Sequence, residues 1–220
     1  MKANEYFQDA PTIALVTAAQ NGDVAGVRVA VQAGANPNAR GKENATPLIA
    51  VLGSTVNKSG LAALLAVGAD PNLPSTDGLS PMVLVARAKD PELLRILLKG
   101  GGNPNLKSSS GDPLLLLAAQ DDRWDNVETL LNSGADINAV DGPGYTTVMN
   151  LVSLRRYDRV AWMIEHGANV SYANSIGVTL AELIAADRIA PSSPQYGWRQ
   201  RVISMLEARG IKVPVPPAQK

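Results

Sequence analysis

The sequence predicts an all-α solenoid of about six helix–turn–helix units, terminal caps included. Three observations predict it. A glycine-centred motif returns as GANPN at Gly34, GADPN at Gly68, GGNPN at Gly101, GADIN at Gly134 and GANVS at Gly167. Successive glycines stand 34, 33, 33 and 33 residues apart, the mark of a repeat array. Upstream of each motif lies a short apolar run, such as Leu93, Leu94, Ile96, Leu97 and Leu98, too short for a stable lone helix. About twelve residues after it comes a helix-start signal: Thr46-Pro47-Leu48, Ser80-Pro81-Met82 and Thr146-Thr147-Val148.

Each element has a physical reading. Ser or Thr serves as N-cap of the first helix of a unit. Proline takes the next position, where its missing N–H costs nothing. Asp90-Pro91 repeats the device at a second helix. The periodic glycine ends that second helix in the left-handed conformation, Asn or Asp favours the turn, and Pro37, Pro71 and Pro104 stop helix continuation. The expected organisation is an N-terminal extension at 1–8, a repeat domain at 9–212 and an extended Pro-rich tail at 213–220. The units fall near 9–40, 41–74, 75–107, 108–140, 141–173 and 174–212. Gly210 follows Gly167 by 43 residues, which places a loop insertion at 189–198 (IAPSSPQYGW). The second unit carries one extra residue near 54–60, and the fourth reads Asp112-Pro113-Leu114, its proline shifted by one place.

Composition narrows the function. The chain has 220 residues, 45% of them apolar and 18% charged, so it can bury a core without staples. Twenty basic groups balance twenty acidic ones. The halves balance too, with 10 basic and 8 acidic groups in 1–110 and 10 and 12 in 111–220. No basic footprint for nucleic acid exists, and no window suits an integral membrane span. Zero cysteines exclude disulfides, thiolate metal sites and cysteine nucleophiles. Residues 1–8 lack the apolar core of a signal peptide, and the sequons at Asn44, Asn57 and Asn169 are read as chance.

The 33-residue period, the T-P-L start and the G-A-D-P-N close resemble the ankyrin repeat family over about residues 9–212. Ile49, Val83 and Met149 stand where that family usually has histidine. The resemblance implies a non-catalytic protein-binding module whose partner sits on the turn tips and the exposed ends of the inner helices. Carried onto this sequence, the contact residues are Glu43, Asp77, Leu79, Arg87, Asp112, Asp121, Tyr145, Leu154, Arg155 and Ile176. Asp77, Arg87, Asp112 and Asp121 would steer the encounter while Tyr145 and Leu154 anchor it.

Catalytic chemistry finds no footing, so no enzyme, metal or cofactor is expected. His166, the lone histidine, precedes Gly167 at a helix end and reads as a cap. Asp121–Asp122 and Arg155–Arg156 read as solvated inter-helix turns, with partner contact the other use for the arginines. Seven of the nine aromatics lie between Trp124 and Trp198. Trp162 reads as core and Tyr145 as tip contact, while Trp124 and Tyr157, by the inter-helix turns, suit partner contact or cover for the edge of the array equally. A second resemblance rests on Phe7-Gln8-Asp9-Ala10-Pro11, on AAQNGD at 18–23 and on GANPNARGK at 34–42. These look like bacterial ankyrin lipoproteins, some of which act as periplasmic immunity proteins for type VI secretion phospholipase effectors. That implies a lipase or phospholipase toxin as partner and a periplasmic, lipid-anchored setting; the free chain is expected to be a monomer. The alternative is a cytoplasmic regulatory or scaffolding module.

Overall fold

All six periodic glycines, Gly34, Gly68, Gly101, Gly134, Gly167 and Gly210, adopt φ between 78° and 97°. Each follows the end of a helix, as the repeat demands. The computed structural model describes residues 2–54 and 56–214, which form thirteen α-helices and no extended strand. A short α1 (Ala3–Tyr6) precedes six antiparallel pairs. The pairs are α2 (Ala10–Asn21) with α3 (Val24–Gln32), α4 (Pro47–Leu52) with α5 (Lys58–Ala66), and α6 (Pro81–Ala86) with α7 (Pro91–Lys99). Then come α8 (Leu114–Gln120) with α9 (Trp124–Asn132), α10 (Thr147–Ser153) with α11 (Tyr157–Glu165), and α12 (Leu180–Ala186) with α13 (Tyr196–Glu207). The expected tail lies outside the described residues from Val215 onward.

Caps follow the expected chemistry with two exceptions. Thr46 and Ser80 accept the amides of Ile49 and Val83 at 3.3 and 3.2 Å, and Thr179 builds a capping box with Glu182. Asp9 accepts the Thr12 amide at 2.8 Å, and its bonds to Thr12 hold its carboxyl below the ordinary range. At α8 the shifted proline becomes the N-cap itself and offers no side-chain acceptor. Thr146 occupies the N-cap position of α10, but its hydroxyl makes no cap bond. Leucine-rich inner and outer helices supply the burial that such short helices need.

Two compact units result, one up to Ala135 with four helix pairs and one from Asp136 with two. In the first, successive inner helices stack α2–α4–α6–α8 and successive outer helices stack α3–α5–α7–α9. Leu15, Leu48, Leu61, Leu64, Met82, Leu94, Leu97 and Leu130 fill the space between the two rows. In the second, α10 packs on α12 and α11 on α13 around Tyr157, Val160, Ile184, Val202 and Leu206. The connection between α12 and α13 is residues 187–195, and Tyr196 and Trp198 belong to α13. Trp162 is half-buried on α11 rather than in the core, its ring stacked on His166 at 3.6 Å. His166 is the C-cap of α11, and its Nδ1 meets the Trp162 carbonyl at 2.7 Å. Trp124 and Tyr157 are buried rather than edge cover.

Asn126 is a buried polar residue that ties two repeats together. Its Nδ2 donates to the carbonyls of Val85, Ala86 and Ala88 at 3.2, 2.9 and 2.9 Å, at the C-terminal end of α6, where the Val85 carbonyl also accepts the Ala88 amide at 3.1 Å. Asn126→Ala takes this donor from the Ala86 and Ala88 carbonyls and leaves Val85 with its backbone partner, and a loss of about 2 kcal/mol is expected by urea unfolding. Asn126→Asp should cost more, because it removes the donor and buries a charge among carbonyl oxygens.

Candidate protein-binding surface

Between the helix pairs, the chain makes tips of one design. Ser75, Ser108, Asp141 and Asn174 donate their amides to the carbonyls of Leu79, Asp112, Tyr145 and Val178 at 2.9–3.0 Å. Gly78, Gly111, Gly144 and Gly177 each close a tight turn back onto the same four residues. The first tip makes the same bonds from Gly41, whose amide meets the Ala45 carbonyl at 2.9 Å, with Asn44 in the glycine's place. Lys42–Asn44 form a single 3-10 turn with Glu43 and Asn44 at positive φ, and its Glu43 carbonyl accepts the Thr76 amide of the next tip at 2.9 Å.

Register along the array is held by asparagines whose partners sequence reading missed. The Asn38 side chain accepts the Asp70 amide at 2.7 Å and donates to the Gly68 carbonyl at 2.8 Å. Asn72 does the same to Asn103 and Gly101, and Asn105 donates to Gly134. In the second unit Asn138 accepts the Asn169 amide at 2.7 Å. One turn earlier in each motif, Asn36, Asp70, Asn103, Asp136 and Asn169 accept an amide two residues on, at 2.8–2.9 Å.

The ten expected contact residues fall into groups. Glu43, Asp77 and Leu79 line one apolar groove of about 330 Å³ on the inner-helix side of the first unit. Tyr6, Ile49, Leu52, Val56, Leu84 and Leu93 line it too, and none of these was foreseen. The available signal was that PLIAVL and PMVLVA are apolar on every side, so one face of each must stay unburied by its own repeat. The Ser75 hydroxyl donates to Asp77, which keeps that carboxyl below its ordinary range.

Arg87 and Asp121 come together with each other. The guanidinium makes a bidentate pair with the carboxylate at 2.7 and 3.2 Å, and these bonds hold the Asp121 carboxyl low. Arg123 donates to the Arg87 carbonyl at 3.1 Å, so two consecutive inner-helix ends are tied. Asp112 accepts from Ser110 at 2.6 Å within its own tip.

In the second unit, Tyr145 is half-buried, while Leu154 and Ile176 are 49% and 76% exposed. Arg155, in the left-handed conformation after α10, donates to Asp187 at 3.0 Å. The same carboxylate accepts the Tyr157 hydroxyl at 2.8 Å. Among the described residues no cluster of His, Asp or Glu could hold a metal ion. No described helix is long and apolar enough to cross a membrane.

A family model for ankyrin repeats (3 copies) matches residues 50–141. The chain is similar to the crystal structure of EF0377, an ankyrin repeat protein, at 27% identity and a TM-score of 0.68, over 88% of this chain and 96% of that one. It is also similar in fold to the ankyrin repeat domain of Bcl-3, a member of the IkappaB family. There the identity is 23% and the TM-score 0.74, over 93% of this chain and 87% of that one. No curated protein matches the sequence. Period, helix pairs, tips and matched residues agree: residues 50–141 match ankyrin repeats, which indicate a protein-binding module, and the described chain has the fold of an ankyrin repeat solenoid.

Proposed function

We propose that the chain is a non-catalytic module that masks a protein partner, and that the partner is a secreted antibacterial phospholipase or lipase which it neutralises as an immunity protein. The observation that carries the binding reading is the preformed groove between α4 and α6. Its floor is Ile49, Leu52, Val56 and Leu84, and Glu43, Asp77 and Leu79 stand on its rim. Such a groove offers an apolar centre with a polar rim, the anatomy of a protein interface. The toxin reading is supported by the resemblance of residues 7–11, 18–23 and 34–42 to bacterial ankyrin lipoproteins, and it carries with it a periplasmic setting. Occlusion needs only rigid contact, and a helical array presents its contacts without rearrangement.

Glu43, Asp77 and Leu79 form the first contact set, with Arg87, Asp112 and Asp121 on the same unit. Tyr145, Leu154, Arg155 and Ile176 form the second set. Ion pairing of Arg87 with Asp121 shifts the steering role onto Asp77, since Glu43 on the same rim lies 3.8 Å from Lys42.

The test is a tagged pull-down from periplasmic and cytosolic fractions, run separately and read by mass spectrometry. A stoichiometric lipase in the periplasmic lane supports the proposal, and a cytosolic partner overturns the toxin reading. Leu84→Glu and Asp77→Lys should each weaken capture at least about tenfold, equivalent to about 1.4 kcal/mol, with little change in melting temperature. If instead Tyr145→Ala with Leu154→Ala abolishes capture and the groove variants do not, the interface belongs to the second unit.

A further inference from the structure

The groove beside α4 and α6 carries charge of one sign. Of the residues that line it, Glu43 and Asp77 are charged and both are acidic, while Ile49, Leu52, Leu84 and Leu93 are apolar. The two acids hold the same place in successive tips: Glu43 follows Gly41 by two residues, and Asp77 follows Ser75 by two. The next three tips carry Ser110, Pro143 and Ile176 at that place and close with the same turn bonds. The turn itself therefore needs no acid there, and the tips that supply one are the two that border the groove.

The second repeat also keeps the end of its inner helix small. Gly53 lines the groove at the C-cap of α4, where the three following repeats carry Arg87, Gln120 and Ser153. The two acids differ in what they already hold. Glu43 lies 3.8 Å from Lys42, in a pair whose side chains are both 70% exposed. Asp77 accepts the Ser75 hydroxyl, and among the described residues no base pairs with it.

We propose that the groove takes a short apolar segment of the partner that carries a lysine or arginine beside its apolar anchor, with that cation on Asp77. The assignment rests on the groove being the partner's contact surface. Lysine and arginine stems lie along apolar surface while their heads keep to a polar edge. One such side chain therefore meets both the leucine floor and the acidic rim. Once a bound segment displaces water from the floor, the attraction at the rim is screened less than in open solvent. An acidic segment would instead set like charges beside Asp77 and Glu43.

Fluorescence anisotropy of the full chain with two labelled peptides tests this. Both are about 14 residues long with leucines at helical spacing; one carries lysines between them and its twin carries glutamates. The lysine peptide should bind at least about tenfold tighter than its twin. Asp77→Lys should reverse that order, whereas Glu128→Lys, the same charge change at an exposed position of α9, should keep it. Leu84→Asn puts at that place the residue type the fifth repeat has at Asn150, and it should weaken the lysine peptide at least about tenfold. A glutamate peptide that binds as tightly overturns the proposal, as does binding by neither peptide up to about 1 mM. So does a lysine preference that survives Asp77→Lys or binding that ignores Leu84→Asn. If the preference fails while Leu84→Glu still blocks capture of the partner, the groove stays the contact surface and this occupant is wrong. Capture that ignores Leu84→Glu brings down the groove reading and this proposal with it.

Discussion

Gly60→Ala should lower stability by about 3 kcal/mol, although the same change in an ordinary helix interior raises it by about 0.5–1 kcal/mol. Gly60 sits in the first turn of α5, where its backbone passes the C-terminal part of α2. A methyl group there would stand 1.8 Å from the Ala19 carbonyl oxygen and 2.6 Å from its carbon. The obstacle is helix backbone rather than a side chain that can turn away, so the two repeats must separate. The separation loosens Leu15, Leu61 and Leu64 together, which are buried at that contact. At roughly 2–4 °C per kcal/mol for a chain of this size, the melting temperature should fall by about 10 °C. Gly197→Ala provides the opposite sign. It lies in α13 with nothing within 4 Å of a Cβ, so it should stabilise slightly. If Gly60→Ala matched Gly197→Ala in calorimetry, backbone-close stacking would be refuted.

Tyr157→Ala should cost about 4 kcal/mol, the range found when a large aromatic is removed from a packed core. Tyr157 is fully buried at the start of α11, where its ring fills the second unit's core. Its hydroxyl donates to Asp187 at 2.8 Å, and the other carboxylate oxygen takes Arg155 at 3.0 Å. Burial first, and then Asp187, pushes the hydroxyl far above the ordinary tyrosine range, so it remains a donor at every working pH. Tyr157→Phe keeps the ring and removes only this donor, and a loss of about 1 kcal/mol is expected because Arg155 still holds Asp187. The two substitutions separate ring packing from the hydrogen bond. Equal losses in denaturant titration would show that the hydroxyl, not the cavity, carries the effect.

The parts of this protein legible in sequence are those written within one repeat. Gly34 and its successors announce the left-handed helix end because no other residue tolerates it so well. Thr46-Pro47 and Ser80-Pro81 announce the next start by the same local logic. His166 was readable as a cap from its place before Gly167. What was hidden depends on residues about 30 positions away. Asn38 and Asn72 recur plainly, yet only the stacked repeats show that each bonds the next turn. PLIAVL and PMVLVA are apolar all round, so nothing in them singles out Ile49 or Leu84, and only the stacking makes one side of these helices a groove floor. Trp162 misled for the reverse reason: its helical register suited the core, but the stacked His166 ring holds it at the surface of α11.

The asparagine ties have a consequence for how this chain can change length. The side chains measure the distance to the next turn; Asn38 bonds one carbonyl and one amide that lie 30 and 32 residues ahead. A deletion of one whole repeat within the first unit would hand Asn38 the same pair of groups on the following turn. A deletion of a few residues inside a helix would leave it facing the wrong atoms. Natural variation in length is thereby channelled into two kinds of event: gain or loss of complete repeats, and growth of connections that the ties do not gauge. The stretches at 53–57 and 187–195, where this chain carries its surplus residues, are growth of the second kind.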